Sequence, residues 1–310
     1  MRYTAQSMAI LGIDIGGTQI KAGLVTRDGK VLEAHRIASP PTLDEFRRAF
    51  PELLAPFLRD PVDGVGIGCK GILHPATAHV LNLPGTMNYL EGETLSAYLP
   101  VGTKVAADND ARVALAGEMA WGAAKGCRNA IMLTLGTGVG GGIVAEGRMV
   151  HGSGAVAGHL GHYTVRPDGP LCICGNRGCL ETYFSARAIE SAAAALHHRG
   201  VATRIPAAPT CQQVFDAAHE GDAPARLIVD EAIGHLASAI AGMLFMLDPE
   251  LVILGGQIAS AGDRLFVPLR KQVYARTEQF LRKQTPIVLA ELVDASGVAG
   301  AAALLLTSSA

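Results

Sequence analysis

Short apolar runs broken by glycine turns set the pattern of the first forty residues. Residues 9–15 form an apolar run ending in Asp14-Ile15-Gly16-Gly17-Thr18, and residues 20–25 and 31–37 follow as two further runs. Runs of this length, bounded by glycine and rich in isoleucine and valine, predict strands. Arg27-Asp28-Gly29-Lys30 between the second and third has a hairpin signature. Thr42-Leu43-Asp44-Glu45 then reads as a capping box, followed by Leu43, Phe46, Phe50, Leu54 and Phe57 at helical spacing, with Pro51 expected to kink or end the helix. Further strands are predicted at 65–69, 104–107, 130–135, 251–254 and 287–291. Helices are predicted at 111–124, 182–199, after Thr210, at 226–247 and at 297–306.

The pattern repeats. ILGIDIGGTQIKAGLVTRDGKVLEAH and IMLTLGTGVGGGIVAEGRMVHG share one plan of apolar strand, Gly/Thr turn, strand, Gly turn and strand. Two copies of one unit imply two similar lobes, each with a Gly/Thr hairpin. The second copy matches the dinucleotide fingerprint GxGxxG from Gly136 to Gly141, but a hairpin follows where that fingerprint needs a helix N-terminus. The first copy lacks the spacing of a P-loop. A Gly-Gly-Thr turn still offers backbone N–H groups and a hydroxyl to phosphate oxygens, and Asp14 at the strand end can hold Mg²⁺ through water. Each turn alone is equally an ordinary tight hairpin. Two of them facing one cleft favour a nucleotide.

Composition narrows the class. The chain has 310 residues, 49% apolar and 17% charged, which suits a large core or two domains. A net charge of −2 without a basic run argues against nucleic acid or an anionic membrane as partner. Residues 1–10 lack the apolar core of a secretory signal, and the uninterrupted apolar runs are shorter than a bilayer span. Scattered Cys69, Cys127 and Cys211 fit reduced cytosolic thiols, hence a cytoplasmic protein.

The other three cysteines cluster in GHLGHYTVRPDGPLCICGNRGCLE. His162, Cys172, Cys174 and Cys179 are a His/Cys3 set suited to a tetrahedral structural zinc site, with Gly175 and Gly178 permitting the tight reversals. Three unbound thiols beside a core histidine is the competing reading. Asp110 stands at a strand-to-helix junction, where an acidic residue is most simply a cap.

These pieces together resemble the ROK family of sugar kinases, within the sugar kinase, Hsp70 and actin superfamily. The resemblance rests on Asp14-Ile15-Gly16-Gly17-Thr18 with Lys21, Asn109-Asp110-Ala111, Leu135-Gly136-Thr137-Gly138-Val139-Gly140-Gly141-Gly142, Gly161-His162 with the Cys-x-Cys-Gly-x2-Gly-Cys-x-Glu run to Glu181, and Leu254-Gly255-Gly256. It implies an α/β, two-lobed actin/hexokinase-like fold, a duplicated RNase H-like architecture with an interlobe cleft. The lobes implied are 1–116, completed by a helix at 296–310, and 117–295 with the zinc loop. It implies an ATP-dependent kinase acting on the 6-hydroxyl of a hexose or N-acetylhexosamine, with Mg²⁺, a structural Zn²⁺ and a homodimeric assembly. Asp110 would be the general base. Asn109, Gly71, His159, His162 and Glu181 would bind the sugar. Asp14, Gly16, Gly17, Thr18, Lys21, Thr137, Gly138, Gly140 and Gly141 would serve ATP and its phosphates, with Gly255 and Gly256 near the adenosine. His162, Cys172, Cys174 and Cys179 would hold the zinc.

Two positions depart from the family pattern. His159 stands where the family usually has the glutamate of Glu-x-Gly-His. Imidazole can donate where carboxylate only accepts, which suits a 2-acetamido carbonyl and looks like N-acetylmannosamine kinases. A neutral imidazole filling the same place for plain glucose is the alternative. Lys70-Gly71 stands where many members have Pro-Gly. A sugar-responsive repressor would need a helix-turn-helix before the first strand, for which a strand beginning near Ala9 leaves no room. A sugar-binding protein without catalysis would have little use for Asp110 and both phosphate turns.

Overall fold

The computed structural model describes residues 9–292 and 296–307. Residues 1–8, where a secretory signal was not expected, lie outside the described residues. The chain divides into two compact units. One comprises the described parts of Met1–Arg128, Ile143–Ala157 and Glu291–Ala310, and the other Asn129–Gly142 and Gly158–Ala290.

In the first unit the chain runs through β1 (Ile10–Ile15), β2 (Gln19–Val25), β3 (Val31–Ala38), α1 (Leu43–Leu54), β4 (Gly64–Cys69), β5 (Ile72–Leu73), β6 (Val80–Asn82), β7 (Val105–Asn109) and α2 (Asp110–Trp121). Its main sheet has the order β3-β2-β1-β4-β7, while β5 and β6 form a small separate pair. The outer three strands are antiparallel, as the hairpin turns predict, and β1, β4 and β7 run parallel. Thr42 caps α1 by accepting from the Glu45 amide, and the helix runs on through Pro51 to Leu54. Phe46, Phe50 and Leu54 are fully buried, so packing sustains the turn that lacks proline's N–H.

The second sheet repeats the order. Strands β8 (Ala130–Leu135), β9 (Val139–Ala145), β10 (Arg148–Met149), β11 (Leu251–Gly255) and β12 (Ile287–Leu289) stand as β10-β9-β8-β11-β12, with β8, β11 and β12 parallel. Both sheets therefore have an antiparallel three-strand hairpin followed by parallel additions, as the repeated sequence plan predicts.

Helices α3 (Ala186–His198), α4 (Cys211–His219), α5 (Ala223–Leu247) and α6 (Asp263–Thr277) contribute to the core of the second unit. The α3 helix starts later than its sequence pattern suggests, because Ser185 caps it by accepting from the Ala188 amide. The α5 helix starts earlier than predicted, capped by Asp222. By length and composition alone α5 could cross a bilayer, but 56% of its apolar window is buried in the protein.

The last helix, α7 (Ser296–Thr307), lies on the first sheet. A glycine row crosses that sheet in register, Gly23 opposite Gly12 and Gly12 opposite Gly66. A Cβ on Gly12 would sit 2.0 Å from the Val298 carbonyl oxygen, and one on Gly66 would sit 1.8 Å from that of Ala301. Close approach of helix backbone to strand backbone thus requires glycine on the strands, and the small residues of α7 complete it.

Candidate active site

In the first unit, three parallel strands bring their carboxyl ends to one edge, where open α/β sheets place ligands. Ile15 of β1 is in register with Cys69 of β4, and Cys69 with Asn109 of β7. The next residues, Gly16, Lys70 and Asp110, therefore leave the sheet side by side. Gly16 opens the turn to β2, closed by its amide donating to the Gln19 carbonyl at 3.0 Å. Ser39 fixes the turn from outside, its hydroxyl donating to the Gly16 carbonyl at 2.6 Å and its amide to that of Thr18 at 2.9 Å. Gly17 and Thr18 are exposed.

Asn109 caps α2, its Oδ1 accepting from the Ala111 amide at 3.0 Å, while its Nδ2 donates to the Gly71 carbonyl at 2.9 Å. One side chain thus fixes both the start of the helix and the loop after β4. Asp110 is the first residue of α2 and is exposed. Its carboxylate lies at the positive end of that helix dipole.

Asp14 is held in β1 opposite Lys21. Burial raises its pKa above the usual 3.8; the Lys21 ammonium opposes that shift and the Asp110 carboxylate adds to it. Burial, followed by the charges of Asp110 and Asp14, also pushes up the Cys69 thiol, against the pull of Lys70. Asp14, Lys70 and Asp110 are thus electrostatic neighbours.

Asp108, Arg112 and His151 are neighbours of the candidate site that sequence reasoning missed. Asp108 is 1% exposed and Arg112 is 0% exposed. The Asp108 carboxylate pairs with the Arg112 guanidinium, meets His151 Nε2 at 2.7 Å and accepts from the Asn109 amide at 2.7 Å. Arg112 also donates to the carbonyls of Ala155 and Ala157. Asp-x3-Arg across a strand-to-helix junction is the only sequence signal, and it does not reveal burial.

In the second unit, the turn between β8 and β9 is tied to the segment after the cysteines. The Gly136 carbonyl accepts from the Ala186 amide at 2.8 Å, the Thr137 carbonyl from Arg187 Nε at 3.2 Å, and Glu181 Oε2 from the Val139 amide at 2.9 Å. Thr137 and Gly138 lie in the turn, whereas Gly140 and Gly141 lie within β9. Gly141 is buried, and a Cβ there would meet Leu160 at 2.8 Å. Gly255 ends β11; Gly256 follows with φ of +84°, its backbone against Leu135.

The cysteine segment folds back on itself. Its turn residues Gly175 and Gly178 have φ of +87° and +67°. One ligand atom each from His162, Cys172, Cys174 and Cys179 can be chosen so that all four lie within 4.8 Å of one another. Cys174 Sγ and Cys179 Sγ are 3.7 Å apart, and His162 Nδ1 is 3.5 Å from Cys172 Sγ. Tetrahedral zinc would separate sulfur from sulfur by roughly 3.8 Å and nitrogen from sulfur by roughly 3.5 Å. The donor set and spacing fit that ion. Burial and the neighbouring thiols push Cys179 up to about 12. His159 stands beside the cluster, its ring nearly parallel to that of His162 at 6.4 Å between centroids.

The ROK family model matches residues 10–308. The chain belongs to the ROK family. Among its relatives, the glucokinase of Thermotoga maritima is 34% identical over 96% of this chain and 97% of that protein. The N-acetylmannosamine kinase of Shigella flexneri is 31% identical over 96% and 98% respectively. A ROK family glucokinase from Streptomyces griseus, solved in complex with glucose and AMPPNP, superposes with a TM-score of 0.78 at 32% identity, covering 96% of this chain and 98% of that one. The fold is the actin-like α/β fold of the ROK sugar kinases.

Proposed function

We propose that this ROK chain is a kinase that transfers the γ-phosphoryl group of ATP to the 6-hydroxyl of a hexose or N-acetylhexosamine. The observation that carries the reading is the shared strand edge of the first unit. It presents an exposed carboxylate at Asp110 on the same edge as a Gly-Gly-Thr turn and the half-buried carboxylate of Asp14. Relatives named glucokinase and N-acetylmannosamine kinase support the same chemistry.

Asp110 accepts the proton of the sugar hydroxyl as its oxygen bonds to the γ-phosphorus. The bond from that phosphorus to the bridging oxygen breaks, and ADP leaves. Asn109 holds Asp110 and Gly71 in place and orients the sugar. Gly16, Gly17 and Thr18 offer backbone and hydroxyl donors to phosphate oxygens, with Lys21 and Asp14 alongside. In the second unit Thr137 and Gly138 take the same role, Gly140 and Gly141 supply the strand behind them, and Gly255 and Gly256 border the adenosine. His159, His162 and Glu181 serve the sugar. Mg²⁺, held through water by Asp14, would neutralise charge on the phosphates. Zn²⁺, held by His162, Cys172, Cys174 and Cys179, would fix the segment that carries His159 and Glu181, since four protein ligands leave no open position.

The test is turnover with ATP on glucose, mannose, fructose, allose, N-acetylglucosamine and N-acetylmannosamine, by wild type and Asp110→Asn. Wild-type turnover on at least one sugar, lost in Asp110→Asn with sugar binding retained, is the expected result. Sugar binding without turnover by wild type would instead identify a sensor. His159 favours a second, narrower reading, an N-acetylmannosamine kinase. On that reading His159→Glu shifts preference from N-acetylmannosamine towards glucose.

A further inference from the structure

Lys70 is the residue that the reading above leaves without a task. It is the first residue after β4, the strand between β1 and β7. The register Ile15–Cys69–Asn109 places it between Gly16 on one side and Asp110 on the other. A phosphoryl group moving from the Gly-Gly-Thr turn to a hydroxyl at Asp110 would have to pass this position.

The side chain reaches towards the turn. Lys70 Nζ donates to Thr86 Oγ1 at 2.7 Å. A Cβ built on Gly17 would lie 3.8 Å from Lys70 Nζ and 2.6 Å from Thr86 Oγ1. The ammonium therefore lies beside the middle residue of the turn, and the Thr86 hydroxyl that it holds occupies the space where a side chain on Gly17 would begin. An ammonium has three donors, and the Thr86 bond uses one. The electrostatics agree with this position, since Lys70 acts on Cys69 against both Asp14 and Asp110. Two carboxylates and a polyphosphate crowd negative charge at one strand edge, and a cation between them offsets it.

We propose that Lys70 is a further catalytic residue, whose ammonium contacts the equatorial oxygens of the phosphoryl group in transit between the Gly-Gly-Thr turn and Asp110. The proposal rests on the kinase reading and deepens it. Phosphoryl transfer asks the protein mostly for positioning and charge stabilisation, and a donor already fixed where charge develops acts on the transition state more than on either substrate. Lys70 takes no proton and forms no bond to phosphorus; it holds charge while the bond to ADP breaks and the bond to the sugar oxygen forms.

Lys70→Met, Lys70→Arg and Thr86→Val separate this role from a structural one. Lys70→Met is expected to lower kcat about 100-fold while the sugar KM moves by less than about threefold. It should weaken the complex of ADP, tetrafluoroaluminate and sugar, yet leave ADP affinity unchanged. Lys70→Arg keeps the charge and should recover part of the loss. Thr86→Val removes the hydrogen bond but keeps the ammonium, and should stay within about threefold of wild type. Equal losses in Lys70→Met and Thr86→Val would make Lys70 a prop for its loop. A raised sugar KM at unchanged kcat would make it a sugar ligand, and turnover of Lys70→Met equal to wild type would remove it from the reaction. Each of these overturns the Lys70 assignment while the kinase reading stands. A wild-type protein inactive on every sugar with ATP overturns the kinase reading and the Lys70 assignment with it.

Discussion

The carboxylate of Glu181 accepts a hydrogen bond from the backbone amide of Val139 at 2.9 Å, and its other oxygen is 4.0 Å from Arg187 Nη2. Glu181 follows the last cysteine of the cluster by two residues, and Val139 begins β9 directly after the Gly/Thr turn. One carboxylate therefore connects the cysteine segment to the proposed phosphate turn.

Glu181→Ala should act on both. The partly buried Val139 hydrogen bond is lost, which costs about 1–3 kcal/mol when the donor is left unmatched. The expected result is a raised KM for ATP together with a lower melting temperature. Glu181→Gln keeps an acceptor oxygen and should retain most stability while still weakening the sugar. An ATP KM unchanged in Glu181→Ala would mean that the turn holds its shape without this bond.

Metal removal should reach the same turn by the same route. About one zinc per chain is expected by metal analysis, and chelation should lower the melting temperature, because ligand binding to the folded state is folding free energy. Cys179→Ser should reproduce the effect, since Cys179 is fully buried beside Cys174. Hydrogen exchange of amides near Val139 is the direct readout. Protein free of metal with full stability and unchanged exchange there would count against a structural ion.

Asp14 gives a prediction in pH. Burial raises its pKa above 3.8, with Asp110 adding to the shift and Lys21 opposing it. The folded chain therefore binds a proton at Asp14 more readily than the unfolded chain does. As pH rises through the unfolded value towards the folded one, the folded state must carry a charge that burial penalises, so stability falls; above the folded value the whole penalty is present. Asp14→Asn should melt higher than wild type at pH 7, with the difference shrinking as pH is lowered to about 4. The same variant should lose activity if Asp14 serves Mg²⁺. Equal melting temperatures at pH 7 would refute the penalty.

The duplicated hairpins were legible in the sequence because strand patterning and glycine turns are local signals. The four zinc-site candidates were legible because spacing alone brings them together, although the ring of His159 beside His162 was not. Helix α6 was not read at all: it runs on through Pro268, which in sequence argues against a helix, and charged residues dilute the spacing of Leu265, Leu269 and Val273. The placement of Lys70 was hidden for a different reason. It depends on the register of three parallel strands whose residues are far apart in the chain, and register is a tertiary fact. Gly141 shows a motif glycine with a packing role, since Leu160 occupies the space that a side chain would need.

The buried pair of Asp108 and Arg112 was the least legible feature, because nothing local marks an arginine as inaccessible. Arg112 lies in the first turn of α2 and supports three groups at once: the Asp108 carboxylate and the carbonyls of Ala155 and Ala157. Asp108 in turn accepts from the amide of Asn109, the residue that caps the helix bearing Asp110. Arg112→Met should leave a buried carboxylate with His151 as its remaining side-chain partner, and two carbonyls without their donor. Loss of one member of such a pair costs about 3–5 kcal/mol. Asp108→Asn combined with Arg112→Met removes both charges, so the double variant should be more stable than Arg112→Met alone. Chemical denaturation of the two single variants and the double variant gives the coupling directly. Additive losses would mean that Arg112 stabilises the chain through its carbonyl contacts and hardly at all through Asp108. A large coupling together with reduced kcat in the stable double variant would trace a path from the buried pair, through Asn109, to the position of Asp110.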